Sequence, residues 1–491
     1  MKAGFVVAES IPFDLKGNLQ KYVTIIKEML EKDSGIEAIV LPVNAIEGFF
    51  SDSYFEDKDG LPFYVREFSK LVSGIRKRVI YPSSNHDKIF EVYAGSTSIY
   101  TYDASAELDD TTEVIFVKNR HIINKGETHK ISFAPFLFDG ERMYKGGCVL
   151  SKAGKALTLI DAMKEGYYIL DTKNIPELAD KSELKVDYEQ PERPFYRFDA
   201  EDVYHTLVES VRRYFSLLGV RKAVVGLSGG IDSAVVASIG VAALGSDNVT
   251  GILMPSEFST GHSVTDAEQL AKNLGMEYHI VPIKELYHSY NDALKEVFKG
   301  KEFDVTEENI QARIRGTLVM AYANKFGAMA LNTSNKSELM VGYGTLYGDL
   351  VGSIGVIGDV FKTEVYQLAD YINRNGELIP KHIIEKAPSA ELRPGQKDQD
   401  ALPDYPLLDK ILISYLLTMK HSEVIYNDVT FSEAVADRFY HLYGDSVDKE
   451  VVKQVISLIF RNHYKGRQVP PKIVLGLYPE AELPLLFKGY K

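Results

Sequence analysis

One turn limits what this chain can fold into. The stretch Val224-Val225-Gly226-Leu227-Ser228-Gly229-Gly230-Ile231-Asp232-Ser233 joins an apolar run, a turn of small residues and an apolar-rich segment. Ala223 to Leu227 reads as a buried parallel strand, and Ile231 to Leu244 as the helix after it. A strand, a tight turn and a helix in this order aim backbone N–H groups and a helix N-terminus at one spot. That spot is an anion site, with phosphate the expected anion. Gly229 and Gly230 let a ligand approach the backbone, and Ser228 and Ser233 add hydroxyls. The Asp232 carboxylate would repel phosphate unless a divalent cation sits between them.

No Gly-Lys-Ser/Thr follows, so the turn is not a Walker A loop. It resembles the pyrophosphate-binding loop of the ATP-pyrophosphatase group, which includes synthetases of NAD, GMP and asparagine and tRNA-modifying enzymes. That resemblance implies activation of a substrate oxygen with AMP and retention of the leaving pyrophosphate in the loop.

The 491 residues suffice for two or three domains, and 45% apolar with 25% charged residues is ordinary for a soluble globular protein. A net charge of −13 argues against a nucleic-acid surface. A single cysteine excludes an intramolecular disulfide framework and fits a reducing cytoplasm. Met1 to Val7 reads as a first strand rather than a leader, and no apolar run is long enough to span a bilayer.

The pattern predicts two domains, 1–190 and 191–491, joined across the proline-bracketed, charged stretch Tyr188 to Phe195. In the first, strands are expected at Ala3–Val7, Ile36–Leu41, Arg78–Tyr81, Phe90–Tyr102, Val114–Val117, Lys145–Leu150, Ala156–Ile160 and Tyr167–Leu170. Helices are expected from about Asn18, with Leu19, Val23, Ile26 and Leu30 on one face, and near Phe63–Ser73. That order suggests an α/β sandwich with helices outside. In the second domain a helix over Ala200–Leu218 precedes the loop strand, with Val203, Leu207, Val211, Tyr214 and Leu218 near one face. Strand, helix, strand then follow at Val249–Met254, Asp266–Leu274 and Tyr278–Ile283. The alternation predicts a doubly wound parallel sheet with ligands at the strands' carboxyl ends.

Thr306 to Arg315 reads as the start of a long helix, with Asn309 and Arg313 on one face. Met329–Leu331 reads as a strand ending at Asn332 to Glu338, which puts Thr333 and Glu338 at the sheet edge of Ser228 and Asp232. Two carboxylates, Asp232 and Glu338, form a candidate Mg²⁺ site beside a triphosphate. Gly342 to Asp349 is a glycine-rich aromatic loop, and Lys362 opens the next helix where it can neutralise a phosphate. Met254-Pro255-Ser256 ends a strand where an adenine could sit.

These strings, with Ala387 to Leu392 and Asn462 to Gln468, closely resemble NAD synthetase over roughly residues 195 to 475. The resemblance implies an adenine nucleotide alpha hydrolase-like sheet. It implies that Gly226, Leu227, Ser228, Gly229, Gly230, Ile231, Asp232 and Ser233 bind ATP, together with Met254, Thr333, Lys362 and Ser389. Asn309, Arg313, Glu338, Tyr343, Gly344, Thr345, Leu346 and Lys465 would contact deamido-NAD. Asp232 and Glu338 would hold Mg²⁺, and Asp232, Glu338 and Lys362 would be catalytic. Gly466 stands where the family often has Arg. The implied reaction joins deamido-NAD and ammonia at the expense of ATP, in at least a dimer. Ser389 to Tyr405 is a candidate cover over the adenylate.

The N-terminal part resembles, more weakly, a truncated nitrilase fold like the amidase domain of glutamine-dependent NAD synthetases. The likeness lies in Asp14 to Asn18, Ile39 to Pro42 with Gly48-Phe49-Phe50, and Phe138-Asp139-Gly140 to Lys155. That family uses a Glu–Lys–Cys triad. Val43 stands at the glutamate position, no Cys lies between the middle and closing strands, and Cys148 falls in a closing strand. Glu47 and Lys118 have no spacing that favours them over surface charges. The expectation is a catalytically silent domain and free ammonia as donor. The alternatives are a glutamine-dependent enzyme with an unusual site, a tRNA-modifying relative, and a nucleotide-binding regulatory subunit.

Overall fold

The computed structural model describes residues 1–10, 15–42, 45, 63–83, 88–93, 96–101, 105–109, 112–116, 129–138, 143–153, 155–161, 164–176, 198–421 and 428–475. Val43, Glu47, Lys118, Gly48 to Phe50 and the linker Tyr188 to Phe195 lie outside them. The chain divides into two compact units, Met1–Arg197 and Phe198–Lys491.

The first unit opens with β1 (Lys2–Val7), β2 (Glu9–Ser10), α1 (Leu15–Lys32), β3 (Ala38–Val40), α2 (Phe63–Val72) and β4 (Arg78–Ser83). There follow β5 (Lys88–Tyr93), β6 (Ser96–Thr101), β7 (Ser105–Asp109), β8 (Thr112–Phe116) and β9 (His129–Phe138). It closes with β10 (Met143–Lys152), β11 (Lys155–Ile160) and β12 (Gly166–Asp171). One sheet runs β12-β1-β3-β4-β5-β6 and the other β11-β10-β9-β8-β7, with β2 beside β9. β1 is buried on both faces, which is why it reads as an unbroken apolar run. Val6 packs with Leu19, Tyr22, Val23, Ile26 and Phe68 of the helices. Phe5, on the opposite face, meets Phe133 of the second sheet edge to face at 5.6 Å.

Three expectations for this unit need correction. α1 begins at Leu15, three residues before Asn18. Phe90–Tyr102 is not one strand: β5 and β6 pair antiparallel as a hairpin. β2, β7 and β9 have no counterpart in the sequence reading; β9 is central to its sheet, pairing with β8, β10 and β2.

The second unit contains α3 (Ala200–Leu217), β13 (Lys222–Gly226), α4 (Ile231–Leu244), β14 (Val249–Leu253), α5 (Gly261–Leu274), β15 (Glu277–Ile280) and α6 (Lys284–Leu294). It continues with α7 (Val305–Phe326), β16 (Ala328–Asn332), α8 (Lys336–Val341), β17 (Ile354–Gly355), α9 (Lys362–Ile372) and α10 (Lys381–Glu385). The last helices are α11 (Tyr405–His421), α12 (Asp428–Tyr443) and α13 (Lys449–Gly466). All pairs in its sheet are parallel, in the order β15-β14-β13-β16-β17. The chain winds outward from β13 through β14 to β15, then crosses back to β16 on the other side. The reversal puts the ends of β13 and β16 side by side at the switch point.

Packing explains the residue choices. α4 lies in the core with Val235, Val236 and Ile239 fully buried, so its helical face is apolar almost all round. α7 covers the other face of the sheet, where Val319 and Ala323 meet Val224, Ile252 and Ala330. α7 is capped by Asp304, not started by Thr306: the Asp304 carboxylate accepts the Thr306 N–H at 2.7 Å, and Glu307 accepts the Asp304 N–H at 2.9 Å. Leu218 is 55% exposed and off the α3 core face, which Phe215 completes instead. Beyond Gly355 the edge is extended by the segment Pro471 to Leu475. Gly355 N–H donates to Pro471 O at 2.7 Å, and Ile473 N–H returns to Gly355 O at 3.0 Å. The Asp359 carboxylate, paired with Lys336 at 2.6 Å, accepts the Leu475 N–H at 2.8 Å. Among the described residues no helix is long and apolar enough to cross a membrane.

Candidate active site

A cavity of about 530 Å³ opens at the carboxyl ends of β13, β14 and β16. From the loop after β13 it takes Gly226, Leu227, Ser228, Gly230, Ile231, Asp232 and Ser233. Met254, Thr333, Lys362 and Ser389 also line it, as do Asn309, Glu338, Tyr343, Gly344, Thr345 and Lys465. Gly229, Arg313 and Leu346 do not.

The loop is held by its own small side chains. Ser233 Oγ donates to Gly230 O at 2.9 Å and lies 3.1 Å from Ser228 Oγ. Gly230 N–H donates to Ser228 Oγ at 3.2 Å. Gly229 has φ of +75°, and a Cβ there would lie 2.2 Å from Ser263 O. Close packing on the first turn of α5 requires that glycine.

Lys362 is the electrostatic centre. It is 3% exposed and donates from Nζ to Asp232 Oδ2 and to Glu338 Oε1, the latter at 3.4 Å. Asn335 supports both acids: its Nδ2 donates to Asp232 Oδ1 at 3.0 Å, and its backbone N–H to Glu338 Oε2 at 3.3 Å. Asn335 and Glu338 thereby form the capping box that starts α8. Burial pushes the Glu338 carboxyl up to about 8; Lys362 opposes this and Asp232 adds to it. Burial works against the charge of Lys362, but Asp232 and Glu338 outweigh it and hold its pKa above the ordinary lysine range. The Lys362 ammonium also sits 5.1 Å from the centre of the Tyr405 ring.

On the far wall, Lys465 at the end of α13 donates to the carbonyls of Gly342 and Gly344, both at 2.9 Å. It reaches the cavity within its own chain, so no neighbouring subunit is needed to bring it there. Thr345 Oγ1 donates to Asn309 Oδ1 at 2.6 Å, which fixes that loop to α7. Arg313 is exposed, and its Nε donates to Leu346 O at 3.3 Å.

Several cavity residues were not foreseen. Arg315, two positions beyond Arg313, lines the cavity and donates from Nε to Met254 O at 3.1 Å. Burial pulls its pKa down to about 10, so it stays charged at neutral pH. Asn309 and Arg315 share the cavity wall although they are six apart: α7 turns both inward, while the i, i+4 partner of Asn309 lies over the exposed side. Asp398, 4% exposed, accepts the hydroxyls of Tyr343 at 3.1 Å and Tyr405 at 2.9 Å. Glu391 accepts from Lys386 at 2.6 Å, Ser263 at 2.7 Å and the Thr260 N–H at 3.2 Å. These contacts hold the segment from Ala387 to Asp400 against the cavity. Its prolines, glycine and charges suggest a cover, but nothing local in the sequence names the acids that tether it.

Asp232 and Glu338 offer hard carboxylate oxygens, the donor type Mg²⁺ takes. Among the described residues no cluster of three or more His, Cys, Asp or Glu could enclose a metal by itself. A cation held here would therefore complete its shell from bound phosphates and water. In the N-terminal unit, Cys148 lies in β10, fully buried, and burial raises its thiol pKa well above the usual value.

A parallel sheet with a small-residue loop, a buried lysine and two acids at its switch point is the layout of a doubly wound α/β unit whose candidate site lies at the strands' carboxyl ends. The NAD synthase family model matches residues 203–470, and the chain belongs to that family. A glutamine-dependent NAD(+) synthetase of Thermotoga maritima is 46% identical over 270 residues, 55% of this chain and 44% of that protein. One from Synechocystis is 45% identical over 273 residues, 56% of this chain and 46% of that protein. The chain spans about half the length of the curated relatives it matches. Glutamine-dependent NAD(+) synthetases of known structure share the fold across both units. That of Acinetobacter baumannii aligns with a TM-score of 0.64 at 24% identity, covering 95% of this chain and 94% of its own. That of Cytophaga hutchinsonii aligns with a TM-score of 0.68 at 16% identity, covering 96% and 94%. The N-terminal unit thus has the nitrilase-like fold of those enzymes.

Proposed function

We propose that this protein is an NAD synthetase: it amidates deamido-NAD to NAD and converts ATP to AMP and pyrophosphate. The observation that carries this is the meeting of the Ser228–Ser233 loop, Lys362 and two acids in one cavity of an NAD synthase family chain. The nicotinate carboxylate oxygen attacks the α-phosphorus, and the bond to pyrophosphate breaks. Ammonia then attacks the mixed anhydride, the carbon–oxygen bond breaks, AMP leaves, and the nitrogen loses a proton to solvent. The Ser228–Ser233 loop and Lys362 take the charge that develops on the departing pyrophosphate. Asp232 and Glu338 would hold Mg²⁺, which supplies Lewis-acid charge to phosphoryl oxygens when bound. The segment from Ser389 to Asp400 keeps water from the anhydride. No side-chain nucleophile is required. The protein should release AMP only when deamido-NAD, ATP and ammonium are all present; AMP release without deamido-NAD would reject this reading.

On the substrate side we assign Asn309, Tyr343 to Thr345 and Lys465 to deamido-NAD. Lys465→Ala frees the Gly342 and Gly344 carbonyls it now holds. It should raise the KM for deamido-NAD by about tenfold and that for ATP much less. Equal changes in both would remove Lys465 from the substrate wall.

The direct donor in this reading is free ammonia. A buried thiol with a raised pKa is a poor nucleophile. The second reading takes glutamine as the source, and the names of the relatives favour it. Purified protein supplied with ammonia-free glutamine should form no NAD and release no glutamate, and Cys148→Ala should leave ammonium-driven synthesis unchanged. ATP-coupled glutamate release that disappears in Cys148→Ala would establish the glutamine reading instead. A single reduced thiol suits the cytoplasm, and we expect at least a homodimer, as its resemblance to the family implies.

A further inference from the structure

Glu338 and Lys362 stand in the first turns of two different helices, and those turns meet on one residue outside the cavity. Asp409 of α11 is 2% exposed and is not among the cavity residues. Its Oδ1 accepts the Ser337 hydroxyl at 2.5 Å. Its Oδ2 accepts the Thr363 N–H at 2.9 Å and the Thr363 hydroxyl at 2.8 Å. Ser337 Oγ in turn accepts the Lys362 N–H at 2.9 Å.

The placement in sequence matters as much as the distances. Ser337 immediately precedes Glu338, and Thr363 immediately follows Lys362. One carboxylate therefore holds the residue beside each charged side chain, Ser337 by its hydroxyl and Thr363 by its hydroxyl and its backbone N–H. It also takes the Thr363 N–H in the first turn of α9, where negative charge is favoured. Phe361, the residue before Lys362, offers no side-chain cap to α9. Asp409 supplies from another helix what the local sequence omits.

We propose that Asp409 is a positioning residue for the nucleotide site. It fixes the first turns of α8 and α9 against each other so that Lys362 Nζ reaches Asp232 and Glu338 together. The inference rests on the reading of this cavity as the ATP site. The two could not be held in register by their own contact alone, because Lys362 is a four-carbon stem with several rotamers. Holding Ser337 and Thr363 on one carboxylate fixes the points from which the Glu338 and Lys362 side chains start before substrate arrives.

The test is Asp409→Asn, which keeps the shape and removes the charge. It should lower kcat for deamido-NAD-dependent AMP release by about 10²-fold, with the KM for deamido-NAD changed less than about twofold. Parallel loss in kcat/KM for both substrates with a matching loss of folded protein would mean a merely structural role and overturn the proposal. In a Lys362→Ala background, Asp409→Asn should add little further loss, because the two residues act as one unit; full additivity would overturn it. Should Asp409→Asn fail to fold, Ser337→Ala and Thr363→Val each remove one donor to the same carboxylate. Each should lower kcat several-fold, and unchanged kcat in both would overturn the inference. If the native protein shows no deamido-NAD-dependent AMP release, the proposed reaction fails instead. ATP affinity then reads the positioning directly: Asp409→Asn should weaken it about tenfold, and equal affinity would reject it.

Discussion

Lys362→Ala should reduce the rate of AMP release by about 10³-fold and lower the melting temperature as well. The ammonium is buried and touches both Asp232 and Glu338, so its removal acts twice. The developing charge on pyrophosphate loses a fixed cation, and two partly buried carboxylates are left facing each other. Breaking a buried ion pair by deleting one partner costs about 3–5 kcal/mol in comparable sites. The loss here is smaller where Glu338 takes up a proton, which its raised pKa makes easy. Lys362→Arg, which retains charge on a bulkier group, should recover stability more than rate. Steady-state AMP release and thermal unfolding separate the two effects. A variant within tenfold of the native rate would show that pyrophosphate departs without help from this side chain.

Glu338→Gln should slow adenylation by about 10²-fold while leaving the fold intact, since the amide keeps the size of the side chain. It should also abolish a pH effect. Burial raises the Glu338 carboxyl from its ordinary value of 4.5 to about 8. The folded protein then binds this proton more tightly than the unfolded chain. The corresponding stability is complete below about pH 4.5 and is lost progressively as pH rises through about 8. Native protein should therefore lose melting temperature between about pH 4.5 and 8, and Glu338→Gln should lose less over the same interval. Equal slopes for the two proteins, or near-normal turnover with an unchanged magnesium requirement, would remove Glu338 from the proposed metal pair.

How much of this could be read beforehand follows the range of the interactions. The phosphate loop is local: strand, turn and helix are adjacent in the chain, and α4 spans Ile231–Leu244 as the pattern predicts. The approach of Thr333 and Glu338 to Asp232 follows from β16 lying beside β13, which alternation of strands and helices implies. Helix faces were harder. Asn309 and Arg313 do share a face in spacing, yet the face that matters is set by what α7 packs against, and that selects Arg315. Long-range tethers were not legible at all. Asp398 meets Tyr343 and Glu391 meets Ser263 across loops whose paths no local periodicity records. Antiparallel β5 and β6 read as one strand because only two residues separate two β-rich runs, which leaves little compositional trace.

The edge of the nucleotide-binding sheet has a consequence for the timing of folding during synthesis. Asp359 binds the Leu475 N–H across 116 positions of chain, and its partner Lys336 stands two residues before Glu338. A nascent chain that has already emitted the loop after β13, both acids and Lys362 still carries an unmated strand edge beside them. The ribosome must deliver the segment Pro471 to Leu475 before that edge closes. Until then the exposed strand is open to pairing with other chains, so chaperone demand should fall on this interval rather than on the earlier sheet strands.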